Sequence, residues 1–581
     1  MESRKLLDSP GPARGRPLTF RAVILCVLLC LPTCLAARDP SAATQVVSLA
    51  ERLHAEKRWE ELIRLAQNSP NLPAEVDYLS GLALARLTRW EEARETFERG
   101  RRKAPHDKRF SIELAGVAFK QKKISEAKEE LRRALKLDPH DDYANNFLAT
   151  LYLLEGNAEA AVKFWNRVGK PEIEEVKNEP EPTVDPVLLD RAFAFSPADV
   201  LRLEDLRSTE ARLDLVDIFR RYRFDLEPTH GERFNLVFRS WERSGGRAGA
   251  LRTLLPALRG LPFQTVYPEF INLNRSAMNF ESLLRWDSQK RRAFATFAAP
   301  LGGEPKWRYR LHVDARKEIW DLRDTFGGST TPPGDLDMQT FEAGLGIESR
   351  PSGRWGWTSE VLVTDRKFRH EGFDDEWASQ FLTGGLALKY RAGFDYTLLR
   401  IPERRFTTRT GVRWQVGKLM RQSFRPFSKL EGSLETRWLP KSRGDDYAVT
   451  ARLRAGKTLG RIPFDELFQL GIERDNDLWL RGHAGTRNGR KGSAPLGRDY
   501  FLANWSLNKM IYAGPVFSFN AGPFLDCGRI YDTSQGLGSK KWLWDTGVQF
   551  GVRVLGSFGF TFIYGKDLRS GGNVFYSTAL R

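Results

Sequence analysis

Two hydrophobic periods divide the chain. From about Phe263 onward, apolar and polar residues alternate. In "WRYRLHVD", Trp307, Tyr309, Leu311 and Val313 interleave with Arg308, Arg310, His312 and Asp314. In "YAVTARLRA", Tyr447, Val449, Ala451, Leu453 and Ala455 interleave with small, polar and basic residues. "WDTGVQFGVRV" and "FGFTFIYG" keep the same rule. Alternation of this kind predicts strands with one apolar and one polar face. From Thr44 to Lys170 the spacing is instead helical, and it repeats with a period of about 34 residues. Gly81, Ala115 and Ala149 share one register, as do Leu84, Ala118 and Tyr152; Ala93, Ala127 and Ala161; and Phe97, Leu131 and Trp165. Pro105 and Pro139 close two of the units.

A small residue where helices cross, followed one turn later by a large one, predicts stacked helix pairs. The small side chains admit close approach and the large ones fill the groove. The pattern resembles the tetratricopeptide repeat, over residues 44–170. "RWEEL" at Arg58–Leu62 echoes "RWEEA" at Arg89–Ala93, which predicts a further, partial unit upstream. Solenoids of this type offer a surface for peptides or partner proteins. The repeat register names packing residues rather than ligand-binding ones.

Between the halves, "KPEIEEVKNEPEPTVDP" (Lys170–Pro186) is rich in proline and acid. It reads as an extended linker over 171–190. "DVLRLEDL" then reads as a strand, and "STEARLDLVDIFRRY" as an amphipathic helix capped by Ser208. "RFDLEP" and "RFNLVFRS" read as two strands about a His230-Gly231 turn. Together they predict a small α+β module over 191–262, similar in order and size to a polypeptide-transport-associated domain.

A soluble sandwich hides its apolar face and rarely sets Trp and Tyr at so many strand ends. A membrane barrel turns that face to lipid, keeps a wet lumen and girdles the interface with aromatics. The chain carries 16 Trp. Residues 263–581, at roughly 20 residues per strand and turn, predict a barrel of about 16 antiparallel strands. Unpaired backbone is costly in lipid, so such a sheet is expected to close. The expected fold is therefore multidomain: an α-helical solenoid, a small α+β module and a C-terminal transmembrane β-barrel.

Composition adds export. "AVILCVLLCL" (Ala22–Leu31) follows Arg14, Arg16 and Arg21 and ends at Pro32, with Ala36 and Ala37 beyond. This is the pattern of a signal peptide, read as residues 1–36, and it is too short to span a membrane. Its removal takes Cys26, Cys30 and Cys34, leaves Cys527 as the remaining cysteine, and so excludes an internal disulfide. "LPTC" departs from a lipidation motif at Thr33. The formal charge is +17; loss of a leader with five basic and two acidic residues leaves +14. The basic residues are dispersed and no nucleic-acid module is visible, so nucleic acid is not an expected partner. "ARLRAGKT" (Ala451–Thr458) lies on an alternating strand without a following helix, unlike a phosphate-binding loop. No metal-binding histidine spacing and no G-x-S-x-G elbow is present. The expectation is a non-enzyme without cofactor, metal or catalytic residues.

One segment stands apart. "FQLGIERDNDLWLRGHAGTRNGRKGSAPLG" (Phe468–Gly497) is glycine- and arginine-rich, and "FLDCG" (Phe524–Gly528) sets an aspartate in an apolar strand. Phe524, Asp526 and Gly528 share a face, which is the lumen side if Leu525 and Cys527 face lipid. A buried carboxylate calls for a cation, and the arginine fork suits it. An Arg481–Asp526 pair would pin the loop inside the barrel, with Gly482 letting its backbone pass close to the wall.

"LRGH" and "FLDCG" resemble the signature of the outer-membrane assembly and transport superfamily that includes BamA, TamA and the two-partner-secretion transporters (bacterial surface antigen type). "LFQLG" and "FGFTFIYGKDLR" resemble its segments before that loop and in its late strands. The likeness covers roughly the last 120 residues by motif and the rest of the barrel by pattern. His483 stands where the family carries an aromatic, and the chain ends in Arg581 with Phe575 and Tyr576 close by. The resemblance implies a barrel that inserts or translocates unfolded polypeptide at the bacterial outer membrane. Arg481, Gly482, His483, Phe524, Asp526 and Gly528 would form the loop and its anchor. The repeats would dock substrate or periplasmic or outer-membrane partner proteins, and lipid would surround the barrel. Export of exopolysaccharide, export of surface lipoproteins, and a passive adhesion barrel are the competing readings.

Overall fold

The computed structural model describes residues 40–580 except 69–70, 230–232, 244–256, 323–333, 374, 421–425, 442–443, 445, 515, 533–537, 540 and 555–557. The leader assigned to residues 1–36 and the His230-Gly231 turn lie outside the described residues. The chain forms two compact units that divide between Glu113 and Leu114.

The first unit holds α1 (Pro40–Ala55), α2 (Trp59–Gln67), α3 (Ala74–Arg86), α4 (Trp90–Lys103) and the start of α5 (Lys108–Lys120). Glu91 and Glu92 open α4 and Arg101, Arg102 and Lys103 end it, matching charge to the helix dipole. Gly81 on α3 lies against Phe97 on α4: a Cβ there would meet the ring at 2.4 Å, so only glycine allows this crossing. Ala93 and Phe97 are fully buried.

The second unit begins with the rest of α5, followed by α6 (Ile124–Leu137), α7 (Asp142–Leu154) and α8 (Ala158–Trp165). Asp141 and Asn157 cap α7 and α8, accepting from Ala144 N at 2.7 Å and Ala160 N at 3.2 Å. Ala115, Ala127, Leu131, Ala149, Tyr152, Ala161 and Trp165 are all buried.

The middle segment departs from its sequence reading in three places. The expected linker contains β1 (Glu172–Glu179), which pairs in parallel with β3 (Arg233–Glu242) in a sheet ordered β1-β3-β2, with β2 at Phe219–Pro228. Its acidity is not that of a free linker, because Arg233 pairs with Glu172 at 3.1 Å and Arg239 with Glu179 at 2.8 Å. Charged edge strands of this kind resist pairing with other chains. The linker also holds α9 (Pro186–Ala192), with Pro186 at its first position and Asp185 as its cap. The second departure is "DVLRLEDL", which is not a strand: α10 runs Leu203–Val216, with Glu204 and Asp205 in its first turn. Third, Ser208 is mid-helix rather than a cap, and Ile218 onward leaves the helix for β2 after Asp217 turns left-handed at φ 56°. Phe219 packs against Phe238 and Phe193 against both Phe224 and Phe238, giving the module an aromatic core.

The strand half rolls into a barrel. Short β4 (Thr265–Val266) and β5 (Glu269–Leu273) form an interrupted leading strand on β6 (Met278–Trp286). Antiparallel pairing then runs through β7 (Lys290–Leu301), β8 (Glu304–Asp321), β9 (Asp335–Ser352), β10 (Trp355–Glu371), β11 (Gly385–Ile401), β12 (Phe406–Leu419), β13 (Phe427–Trp438) and β14 (Tyr447–Leu459). Residues 460–498 carry four two-residue strands: β15 (Phe468–Gln469), β16 (Thr486–Arg487), β17 (Arg490–Lys491) and β18 (Leu496–Gly497). The wall resumes as β19 (Asp499–Ala513) directly on β14, then β20 (Phe517–Tyr531), β21 (Leu543–Val554), β22 (Phe558–Asp567) and β23 (Asn573–Leu580), which returns beside Leu258–Phe263.

The two faces invert the rule of soluble proteins. Leu311, Val313, Leu345 and Val361 are 45, 43, 55 and 50 % exposed, whereas Arg308, Asp314 and Arg366 are 6, 5 and 0 % exposed. Exposed Trp307, Trp355 and Trp438 ring one rim, and exposed Trp286, Trp542 and Trp544 the other. An apolar belt between two aromatic girdles is the surface a hydrocarbon layer demands. No described helix is long and apolar enough to cross a membrane, which says nothing of the strands.

The rims differ. Short connections at 302–303, 353–354 and 402–405 lie on the side of the α+β module, where Arg191 Nη1 donates to Gly303 O at 3.3 Å. Arg400 at the end of β11 binds Glu159 of α8 at 2.8 Å and Glu210 of α10 at 2.7 Å. Burial nevertheless pushes the Glu210 carboxyl above its ordinary range, with Arg400 pulling it back. Lys163 pairs with Glu403 at 2.5 Å and Asn157 Nδ2 donates to Pro402 O at 2.9 Å. The long connections of residues 375–384 and 460–498 occupy the opposite rim.

Candidate functional site

The segment 460–498 folds from that rim into the lumen. Leu470, Leu480 and Leu478 join Tyr500, Leu502, Ile530 and Leu543 in one buried cluster. This apolar anchor brings Arg481 to the wall. Its Nε and Nη2 donate to Asp526 Oδ2 and Oδ1 at 2.8 and 2.6 Å, and its backbone N donates to Oδ2 at 3.0 Å. Asn504 Nδ2 adds a fourth bond to that carboxylate at 2.7 Å. The rest of the guanidinium donates to Ser506 Oγ (3.0 Å), Gln549 Oε1 (2.9 Å) and Trp505 O (3.2 Å). It lies 3.9 Å above the Phe524 ring. Asp526 is fully buried and Arg481 is 6 % exposed, so both charges are satisfied away from bulk water.

Each remaining residue of the two motifs meets this centre. A Cβ on Gly482 would lie 2.6 Å from the Asp545 carboxyl, which explains the glycine beside the arginine. Gly482 N donates to Asp545 Oδ2 at 2.5 Å. His483 Nδ1 lies 3.1 Å from Asp545 and Nε2 lies 3.6 Å from Asp567. Gly528 faces Leu470 and Leu480, where a Cβ would make tight contact at 3.2 and 3.4 Å. Phe524, Asp526 and Gly528 therefore share the inner face. Leu525 is exposed outside, and Cys527, on the same outer face, is covered.

His483, Asp545 and Asp567 form the group among the described residues whose donor atoms lie close enough for a metal ion. Sequence reasoning singled out His483 but missed Asp545, Asp567, Asn504 and Gly565. At Gly565 a Cβ would lie 2.0 Å from Arg481 O. "WDTG" and the end of "YGKD" were the available signals, and nothing in their spacing points to the loop.

Further ion pairs hold the loop at other walls. Asp475 binds Arg285 and Arg292 at 2.6 and 2.7 Å, and Lys491 binds Glu318 at 2.6 Å. Glu466 binds Lys389 at 3.0 Å and accepts from Gln415 at 2.9 Å. The loop also touches both ends of the strand order. Arg474 donates to Phe263 O at 3.3 Å and lies 4.1 Å over its ring, before the leading strand; Trp479 meets Tyr576 of β23 edge-on at 5.9 Å.

Known proteins resemble the two halves separately. The tetratricopeptide repeat family model matches residues 84–149 and 118–172. No curated protein matches the chain. CdiB from Escherichia coli superposes with a TM-score of 0.47 at 13 % identity, over 71 % of this chain and 75 % of its own. BamA from Haemophilus ducreyi lacking POTRA domains 1–3 gives 0.42 at 10 %, over 70 % and 84 %. MamA, with a TM-score of 0.21 at 17 % identity, overlaps 22 % of this chain and 77 % of its own. At these scores the overlaps are partial.

Proposed function

We propose that the chain is an outer-membrane barrel that assembles or translocates polypeptides, with its helical repeats docking substrate or partner proteins in the periplasm. The observation that carries this reading is the loop held within the lumen by Arg481 on Asp526. A passive pore or adhesion barrel has no need of a buried, multiply bonded plug, and a polymer exporter needs an open lumen. The apolar belt and twin tryptophan girdles support a membrane setting. Short turns on the module side, long connections on the other, match the periplasmic and external rims of outer-membrane barrels. In this reading residues 44–170 recruit partners, the α+β module hands substrate to the barrel of residues 263–581, and no cofactor or catalytic group takes part.

Single-channel conductance in planar bilayers tests it. Wild type is expected to give a small, flickering pore that Arg481→Ala enlarges or destabilises. A large, steady pore indifferent to Arg481→Ala would refute the plugged translocation barrel and favour polysaccharide export.

A further inference from the structure

Three aspartates stand side by side across the last strands. Asp526 on β20 is directly opposite Asp545 on β21, and Asp545 is directly opposite Asp567 on β22. Like charges in register repel, and all three residues are buried. Arg481 neutralises the first. The other buried carboxylates of the barrel also have a base each: Asp314 pairs with Arg292, Glu318 with Lys491, Glu466 with Lys389 and Glu473 with Lys290. Among the described residues, neither Asp545 nor Asp567 pairs with an arginine or lysine. Both meet the His483 imidazole, at 3.1 and 3.6 Å, and that ring offers at most one positive charge to two carboxylates. Charges buried without full compensation are costly.

Asp545 is 0 % exposed, and its Oδ1, on the side of His483, accepts no hydrogen bond. The remaining oxygens are oriented by other groups: Gly482 N donates to Asp545 Oδ2, and Arg569 N and Ser570 Oγ donate to Asp567. Outer bonds of this kind fix the carboxylates of metal sites. Taken one per residue, the donor atoms of His483, Asp545 and Asp567 lie within 4.8 Å of one another. Ligands at about 2.0–2.2 Å from a shared cation stand roughly 3–4 Å apart, so a small closing of the side chains completes the set. One imidazole with two carboxylates suits a first-row ion such as Zn²⁺ better than Mg²⁺ or Ca²⁺, which favour oxygen ligands alone.

We infer that His483, Asp545 and Asp567 form a binding site for a divalent transition-metal ion of the zinc class, which fastens the inner loop to β21 and β22. The ion's two charges balance the two carboxylates that no arginine or lysine reaches. The site accounts for the histidine that stands where the resembling family carries an aromatic. No histidine spacing announces it, because its donors come from the loop and from two separate strands. It does not depend on what the barrel transports.

The test uses the full chain in detergent micelles, stripped with EDTA, dialysed and titrated with Zn²⁺, with binding read by calorimetry and by metal content. Wild type is expected to hold one equivalent that H483F lacks. D567N, which keeps the size of the side chain, is expected to bind that equivalent at least tenfold more weakly. Mg²⁺ in tenfold excess over Zn²⁺ is expected to leave it in place. Amide exchange at residues 480–483 supplies a second readout. With Zn²⁺ at ten times its Kd, mass action predicts about tenfold slower exchange in wild type and no change in H483F. Equal Zn²⁺ content in wild type, H483F and D567N overturns the site, and so does wild-type exchange that Zn²⁺ leaves unaltered. Exchange that follows pH between 5 and 8 without responding to Zn²⁺ overturns it in favour of a protonated imidazole held between the two carboxylates. Should H483F disturb the loop, D567N decides alone, and undiminished Zn²⁺ affinity in that variant overturns the site.

Discussion

Removing the Asp526 carboxylate should free the inner loop. Three of the bonds that Asp526 accepts come from Arg481, and both residues are buried. Asp526→Ala strands the guanidinium with Ser506, Gln549 and the Trp505 carbonyl. Breaking a buried pair by deleting one partner costs about 3–5 kcal/mol, much of it the unpaired charge that remains. At about 1.4 kcal/mol per decade, the population of loop pulled from the wall should rise roughly a hundredfold to a few thousandfold. The remaining anchors at Asp475, Glu466 and Lys491 should keep the loop attached elsewhere. Amide hydrogen exchange at residues 480–483, read by mass spectrometry in micelles, reports that population when reclosing outpaces exchange. Arg481→Met keeps the stem and deletes the charge. Combined with Asp526→Ala, it should cost far less than the sum of the single effects. Exchange unchanged in Asp526→Ala, or losses that add within ~0.5 kcal/mol in the double variant, would refute a direct, energetically coupled anchor.

Other tests follow from the same geometry. Gly81→Ala drives a Cβ into the Phe97 ring at 2.4 Å and should destabilise the first unit by about 1–3 kcal/mol; an unchanged helical melt by circular dichroism would contradict the packing. Arg400→Gln leaves Glu159 and Glu210 without their shared cation and should speed amide exchange in α10, Leu203–Val216. With these groups partly exposed, the expected loss is about 1–2 kcal/mol. Burial raises the carboxyl of Glu113, to which Tyr78 donates at 3.3 Å. The folded state then holds this proton more tightly than the unfolded state, so the first unit loses stability as pH climbs from the ordinary glutamate value through the raised one. Glu113→Gln should flatten that slope in melts taken between pH 4 and 7.

The sequence alone carried the features with a local period. A repeat of about 34 residues is legible because each helix pair must present the same small and large residues to its neighbour, as Gly81 and Phe97 do. Alternation is legible because lipid and lumen make opposite demands on successive residues, as Leu311 and His312 do. Arg481 and Asp526 were legible because a lone carboxylate in an apolar strand needs a cation. Other features were settled only by the fold. Glu172–Glu179 reads as a solvated linker, and only its parallel register on β3, with Arg233 beside Glu172 and Arg239 beside Glu179, makes it a strand. "DVLRLEDL" was too short for alternation to outweigh helix formation. Asp475 with Arg285, Lys491 with Glu318, and His483 with Asp545 and Asp567 come from distant parts of the chain. A strand pattern specifies which face a charge occupies. Which partner it meets depends on strand register and on how far the loop descends into the lumen, and those exist only once the barrel has formed.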